Sequence, residues 1–180
     1  MRGRHAVLFL LIALVLTLSP LSGASFESVE TKDATGETIE FPEDLTGTAP
    51  VILAFILGDS RESGEAQIET MLAWQQSLSS DSAIPAATRI YHMPIIEGLP
   101  FFLKGIVRDG MKDSYRGAVP DSNIAVLFLK DMKSFIEEAG IPFSYEPTLV
   151  ILESNGNVLT YVKGAPDERN LSKIREAFIS

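Results

Sequence analysis

Residues Val51 to Leu57 form an unbroken apolar run, Val-Ile-Leu-Ala-Phe-Ile-Leu, that stops at Gly58. A strand with one solvated face alternates apolar and polar side chains, so this run predicts a strand covered on both faces, at the centre of a sheet. A helix follows at once. Asp59 to Ser63 offers several N-cap side chains, and Glu62 and Glu65 suit the positive end of a helix dipole. Ile68, Met71, Leu72 and Leu78 then recur at helical spacing to about residue 79. Any fold for this chain has to be built around that strand running into that helix.

The flanking segments supply the rest of a sheet and its cover. Glu27 to Leu45 is polar and turn-rich, with Thr38 to Phe41 as a strand, and predicts an N-terminal hairpin. Thr88 to Ile96 predicts a second core strand, stopped by the Pro94 region and Gly98. Pro100 suits a first helical turn, with Leu99, Phe102, Leu103 and Ile106 as its apolar face and Phe101 and Phe102 as core and rim. Residues 114 to 122 form a loop, and Ile124 to Leu129 is a further strand. Asp131 begins a short helix with Met132, Phe135, Ile136 and Ala139 inward, closed by Gly140 and Pro142. Two strands, from Thr148 and from Val158, flank Ser154-Asn155-Gly156-Asn157, where Asn-Gly suits a tight primed turn. The last helix starts at Asp167 and turns Leu171, Ile174 and Phe178 inward. Strands alternating with helices predict an α/β fold, a mainly parallel sheet flanked by helices, which the closing hairpin makes mixed.

The first residues read as an address. Arg2 and Arg4 precede an apolar run from Ala6 to Leu16, and Ser22-Gly23-Ala24 supplies small residues before Ser25. These are the parts of a secretory signal peptide over residues 1–24, cleaved near Ala24, with one domain over 25–180 and delivery to the periplasm or outside the cell. Retention of the segment as an anchor is the alternative. No later stretch approaches the roughly 20 apolar residues of a membrane span. With 24 acidic and 15 basic residues, a net charge of −9, the chain is poorly suited to a nucleic-acid backbone.

Cysteine is absent from all 180 residues. That excludes disulfides, thiol nucleophiles, Cys-ligated zinc, iron–sulfur clusters and a lipid-modified N-terminal cysteine. With His92 as the only histidine after the leader and no D-x-D-x-D loop, no metal site is expected, and the missing glycine-rich phosphate motifs imply no nucleotide cofactor.

Four features in order carry a family resemblance: Gly36-Glu37-Thr38-Ile39 followed by Asp44-Leu45-Thr46-Gly47; the strand Val51 to Leu57 running into its capped helix; Glu146-Pro147-Thr148 to Leu152 followed by Ser154-Asn155-Gly156; and Gly164 before the last helix. Together they resemble the thioredoxin-like superfamily, in its exported peroxiredoxin-related and cytochrome-maturation branches, over roughly residues 35–180 with a helical insertion at about 97–122. The resemblance implies a redox loop at Ser60-Arg61-Glu62-Ser63, where both cysteines are replaced by serine. It also implies a cis Glu146–Pro147 bond facing that loop. Serine forms no disulfide and offers no accessible thiolate, so thioredoxin, isomerase and peroxidase chemistry is lost. Ser60 or Ser63 is left to cap the helix, or to contact a ligand or partner at its positive end. A narrower resemblance, to the thioredoxin-like assembly factors of mitochondrial ATP synthase, rests on Ser60 to Gly64, Met71 to Trp74, Tyr91-His92-Met93-Pro94-Ile95 and Gly110-Met111-Lys112.

Two other constellations call for a test. Ser60 and His92 could form a nucleophile pair if neighbouring parallel strands bring them to one sheet edge, although Gly58-Asp59-Ser60-Arg61-Glu62 lacks the second glycine of a nucleophile elbow. Lys104, Arg108, Lys112 and Arg116 recur every four residues, a basic stripe that is either a solvated face or a contact for an acidic partner or anionic headgroups. Asn170-Leu171-Ser172 has the form of a glycosylation sequon inside a helix. The sequence thus predicts an exported, non-redox thioredoxin-fold protein that works by binding an unidentified protein partner. It could be an assembly or chaperone-like factor, with a structural subunit or an enzyme at Ser60 and His92 as the alternatives.

Overall fold

The computed structural model describes residues 23–47 and 49–179; all but the last two residues of the expected leader lie outside them. Strands β1 (Val29–Lys32) and β2 (Thr38–Phe41) pair antiparallel as the N-terminal hairpin. The main sheet holds β3 (Val51–Ile56), β4 (Arg89–Glu97), β5 (Leu127–Leu129), β6 (Thr148–Leu152) and β7 (Val158–Lys163) in the order β5-β4-β3-β6-β7. β4 runs parallel to β3 and to β5, while β6 and β7 are antiparallel, which makes the sheet mixed as expected. The helices are α1 (Arg61–Ser80), α2 (Lys104–Ser114), α3 (Met132–Glu138) and α4 (Glu168–Ala177).

Every residue of β3 is buried, because β3 is the middle strand and both of its faces are covered. Side chains on a strand point alternately to opposite faces, so the run divides into two cores. Leu53, Phe55 and Leu57 pack with Tyr91, Met93, Val150, Leu152, Phe135 and Ile136 on the side of α3 and the hairpin. Phe26 there lies 5.3 Å from Phe55 and 5.1 Å from Phe135 between ring centroids. Ile52, Ala54 and Ile56 pack on the other side with Met71, Trp74, Leu78 and Ile174 of α1 and α4. Burying one such side chain contributes about 1.5–3 kcal/mol, which makes this doubled core the main stabilising feature. Trp74 also donates its indole N–H to the Gly164 carbonyl at 2.8 Å, tying α1 to the end of β7.

Several local expectations are corrected. Pro94 does not stop the second strand but lies buried inside β4. Its register partner Ile56 is the last residue of β3, and pairing with β5 begins at Ile95, so its missing N–H falls where one neighbour hands over to the other. Glu146–Pro147 is not cis; the only cis bond among the described residues is Phe41–Pro42. The β6–β7 connection is not a two-residue primed turn, since only Gly156 has positive φ. Glu153 and Asn157 bracket a three-residue loop, with the Glu153 N–H donating to Asn157 O at 2.9 Å, the form in which a left-handed glycine closes a type I turn.

Between the parallel strands β4 and β5 the chain must cross over, and residues 98–123 provide the crossing. It consists of a 3₁₀ turn at Phe101–Leu103, α2, and a second turn at Asp121–Asn123. None of the residues in α2 is buried, and Phe101 and Phe102, expected as core and rim, are 87% and 75% exposed. The helical periodicity is present, but no second element of the fold lies over their side of the turn. The crossover is anchored instead at its far end by Tyr115, which is fully buried.

Candidate functional site

The β3–α1 junction is built to hold a loop tightly. Ser60 adopts an extended conformation and accepts the Ser63 N–H on its Oγ at 3.2 Å, so it is the N-cap of α1. Gly58 is required by contact: a Cβ there would lie 2.7 Å from the Gly64 backbone nitrogen. Gln67, buried on α1, accepts the Leu57 N–H at 2.8 Å and donates to Ser63 Oγ at 3.2 Å and to the Tyr145 carbonyl at 3.4 Å. One amide thus ties the end of β3, the first turn of α1 and the loop before β6. The sequence reading missed Gln67; its one signal was a polar residue beside Ile68 on the face turned toward the core.

The residues around the redox-loop position separate into those that face an opening and those that do not. Ser60 and Arg61 line it; Glu62 is exposed beside it, and Ser63 is turned to Gln67. Arg61 pairs with Glu65 at 2.7 Å on the open surface, where such a pair contributes little. Glu146 accepts the Ser144 hydroxyl at 3.1 Å, and its carbonyl accepts the Thr148 hydroxyl at 3.0 Å. Pro147 precedes Thr148, whose register partner is Phe55, so it sits across from the end of β3; its carbonyl accepts the Gly164 N–H at 2.9 Å. Tyr145, half-exposed, is the residue of this loop that lines the opening.

That opening is a cleft of about 710 Å³. Its wall and floor carry Ile56, Ile68, Pro94, Ile96 and Met132, and its far side is α2, with Val107 and Met111. Three glycines also line it; a Cβ at Gly64 on α1 or Gly110 on α2 would meet nothing within 4 Å, whereas one at Gly58 would not fit. Asp59, Glu65 and Glu97 put carboxylates at the edge. An apolar cleft of this size with a few polar groups has the dimensions of a ligand or peptide site.

His92 does not reach the cleft. Its side chain is fully buried, its Nε2 lies 3.1 Å from Gln75 Oε1, and its ring meets Tyr115 edge-on at 4.9 Å. Burial lowers its pKa to about 4 and raises that of Tyr115. The register partner of His92 is Ala54, six residues before Ser60, while Ser60 Oγ is occupied as a cap. The structure therefore does not bring Ser60 and His92 together as a nucleophile pair.

The basic residues of the crossover are held in three different ways. Lys104 and Arg108 lie over the Phe128 ring, at 5.1 and 5.6 Å from its centroid. Lys112 pairs with Asp121 at 2.7 Å and donates to the Ala34 carbonyl at 3.1 Å, binding α2 to the N-terminal hairpin. Arg116 pairs with Asp113. Asn170 of the sequon donates to the carbonyls of Lys163 and Ala165. Among the described residues, no three His, Asp or Glu side chains converge as a metal-binding group.

Solved structures with this architecture are numerous, although no protein-family model matches the chain and no curated protein resembles it significantly. A putative electron transfer protein from Aquifex aeolicus is 14% identical, with 87% of this chain and 96% of that one covered and a TM-score of 0.55. BsSco, a member of the Sco family of cytochrome c oxidase assembly proteins, is 13% identical over 88% and 95%, with a TM-score of 0.51. The pneumococcal exposed lipoprotein thioredoxin from Streptococcus pneumoniae is 13% identical over 83% and 98%, with a TM-score of 0.50. The protein has a thioredoxin-like fold. Within it, this chain is a cysteine-free form whose loop at Ser60 to Ser63 has no sulfur for thiol–disulfide exchange. The narrower resemblance to ATP-synthase assembly factors gains no support from these three structures. No helix among the described residues is long and apolar enough to cross a membrane.

Proposed function

We propose that the protein is an exported, non-redox thioredoxin-fold protein that binds a polypeptide in the cleft beside Ser60, as an assembly or chaperone-like factor for envelope proteins. The cleft itself carries this reading: where sulfur chemistry would be displayed there is an open, largely apolar recess, flanked by Ser60, Arg61 and Tyr145 and left unfilled by Gly64 and Gly110. The apolar floor suits hydrophobic side chains. Asp59, Glu65 and Glu97 favour a segment that also carries Lys or Arg. The Sco neighbour is described as belonging to a family of assembly proteins, which is compatible with such a role.

The test is co-purification of the tagged protein from its own envelope fraction, comparing the natural chain with Gly64→Leu. The Cβ of a leucine at this open helical position would meet nothing within 4 Å, and the rest of the side chain would take up space in the cleft that Gly64 lines. A stoichiometric partner retained by the natural chain and reduced at least tenfold by Gly64→Leu is the expected result. A partner retained equally by both, or a lone monomer in both, would overturn the reading.

A further inference from the structure

We propose that the start of the crossover is a membrane-interface anchor that docks on bilayers containing anionic lipid. Phe101, Phe102 and Ile106 are 87%, 75% and 69% exposed, within a single 3₁₀ turn and the first turn of α2. Isolated apolar residues on a surface need no explanation, but here three large exposed ones fall within six consecutive residues. Side chains this exposed project from the surface, a shape that enters an acyl layer more readily than it lines a docking groove.

The charges around the tip select the kind of bilayer. From Leu99 to Arg108 the sequence is Leu-Pro-Phe-Phe-Leu-Lys-Gly-Ile-Val-Arg, with two cations and no acid, in a chain of net charge −9. Lys104 and Arg108 rest against Phe128, and with Lys32, Phe101 and Glu30 they border a shallow depression of about 370 Å³. Their positive ends therefore lie beside the aromatic tip, at the level a headgroup phosphate would occupy if the phenylalanines entered the acyl boundary. Apolar residues combined with nearby Lys and Arg are the pattern of interfacial binding to anionic membranes. Asp109 and Asp113 stand further along α2, exposed, which confines the favourable contact to the start of the helix, up to Arg108. The acidic remainder of the molecule would be repelled, orienting the tip toward the lipid. The anchor does not rest on the cleft's role, although Ile106 belongs to both surfaces.

The test places a fluorophore at the tip. Trp74, the single natural tryptophan, is fully buried, so Phe102→Trp adds a distinct exposed emitter. Leu159→Trp, on β7, is the control at a partly exposed site away from the crossover. Each full-length variant is mixed with vesicles of phosphatidylcholine, with or without phosphatidylglycerol, carrying brominated acyl chains. The expected result is quenching of the Phe102→Trp emission by the phosphatidylglycerol vesicles, with the Leu159→Trp emission unchanged. Adding Lys104→Gln or Arg108→Gln to Phe102→Trp should weaken that quenching about fivefold in apparent affinity for each. Because quenching is read at the residue itself, attachment through another part of the chain does not mimic it. Absence of quenching at position 102, equal quenching at position 159, or indifference to both cation substitutions would overturn the proposal.

Discussion

The two sides of the cleft are built in opposite ways. At the β3–α1 junction the backbone at Gly64 leaves no room for a Cβ on Gly58, Ser60 caps the helix, and Gln67 binds three segments at once. Across the cleft, α2 has no buried residue, and the 3₁₀ turn before it leaves Phe101 and Phe102 in water; the helix is held by Tyr115 against His92 and by Lys112 against the N-terminal hairpin. A thioredoxin-like protein that displays reactive sulfur needs a fixed loop. This one has a fixed loop without cysteine, while the opposite wall stays open. One wall is thus fixed by backbone packing and hydrogen bonds, while the other is held at a few points and keeps its apolar side chains outward.

The largest expected effect bears on the deep anchor of the open wall. Burial holds the pKa of His92 near 4 against 6.5 when unfolded, so above pH 6.5 the ring is neutral in both states and contributes no pH dependence. As pH falls from 6.5 toward 4, the unfolded chain takes up the proton and the folded one does not, so stability declines by up to about 3 kcal/mol. Denaturant unfolding across that window should show the decline in the natural chain, and His92→Leu should remove this component. Equal slopes in the two proteins would mean that the anchor is not the pH-sensitive element.

The fixed wall is tested by two glycines six residues apart. Gly58→Ala forces a Cβ against backbone at 2.7 Å and should destabilise by about 2 kcal/mol in urea unfolding. Gly64→Ala, with nothing within 4 Å, should do the reverse and stabilise α1 by about 1 kcal/mol, the ordinary gain of replacing a helical glycine. Opposite signs would sharpen the contrast between a backbone held by contact and one left bare to keep the cleft open. Equal signs would break it.

Much of the frame was legible in the residues. The run from Val51 supplies the central strand, Ser60, Asp131 and Asp167 are N-caps, and β6 and β7 form the hairpin expected on either side of Asn155-Gly156. These features depend on spacing and on groups a few residues apart. Pro94 was misread because a proline within a strand is tolerated only where neighbours permit it, and those neighbours, β3 and β5, lie some 30 to 40 residues away on either side. Gln67 looked like one more polar residue of a helix. Its role exists only once the Leu57 N–H and the Tyr145 carbonyl have been brought to it.

The sequence alone determined what the protein cannot do with sulfur, because chemistry that needs a thiolate is absent with the atom itself. It also determined the α/β order, since periodicity and capping are local properties of the chain. Tertiary structure decided which apolar faces are covered. Leu53 and Phe102 are both hydrophobic residues in well-formed elements, yet one is buried between two layers and the other stands in water. Burial depends on what packs over a residue, and what packs over it is settled by segments far away in the chain.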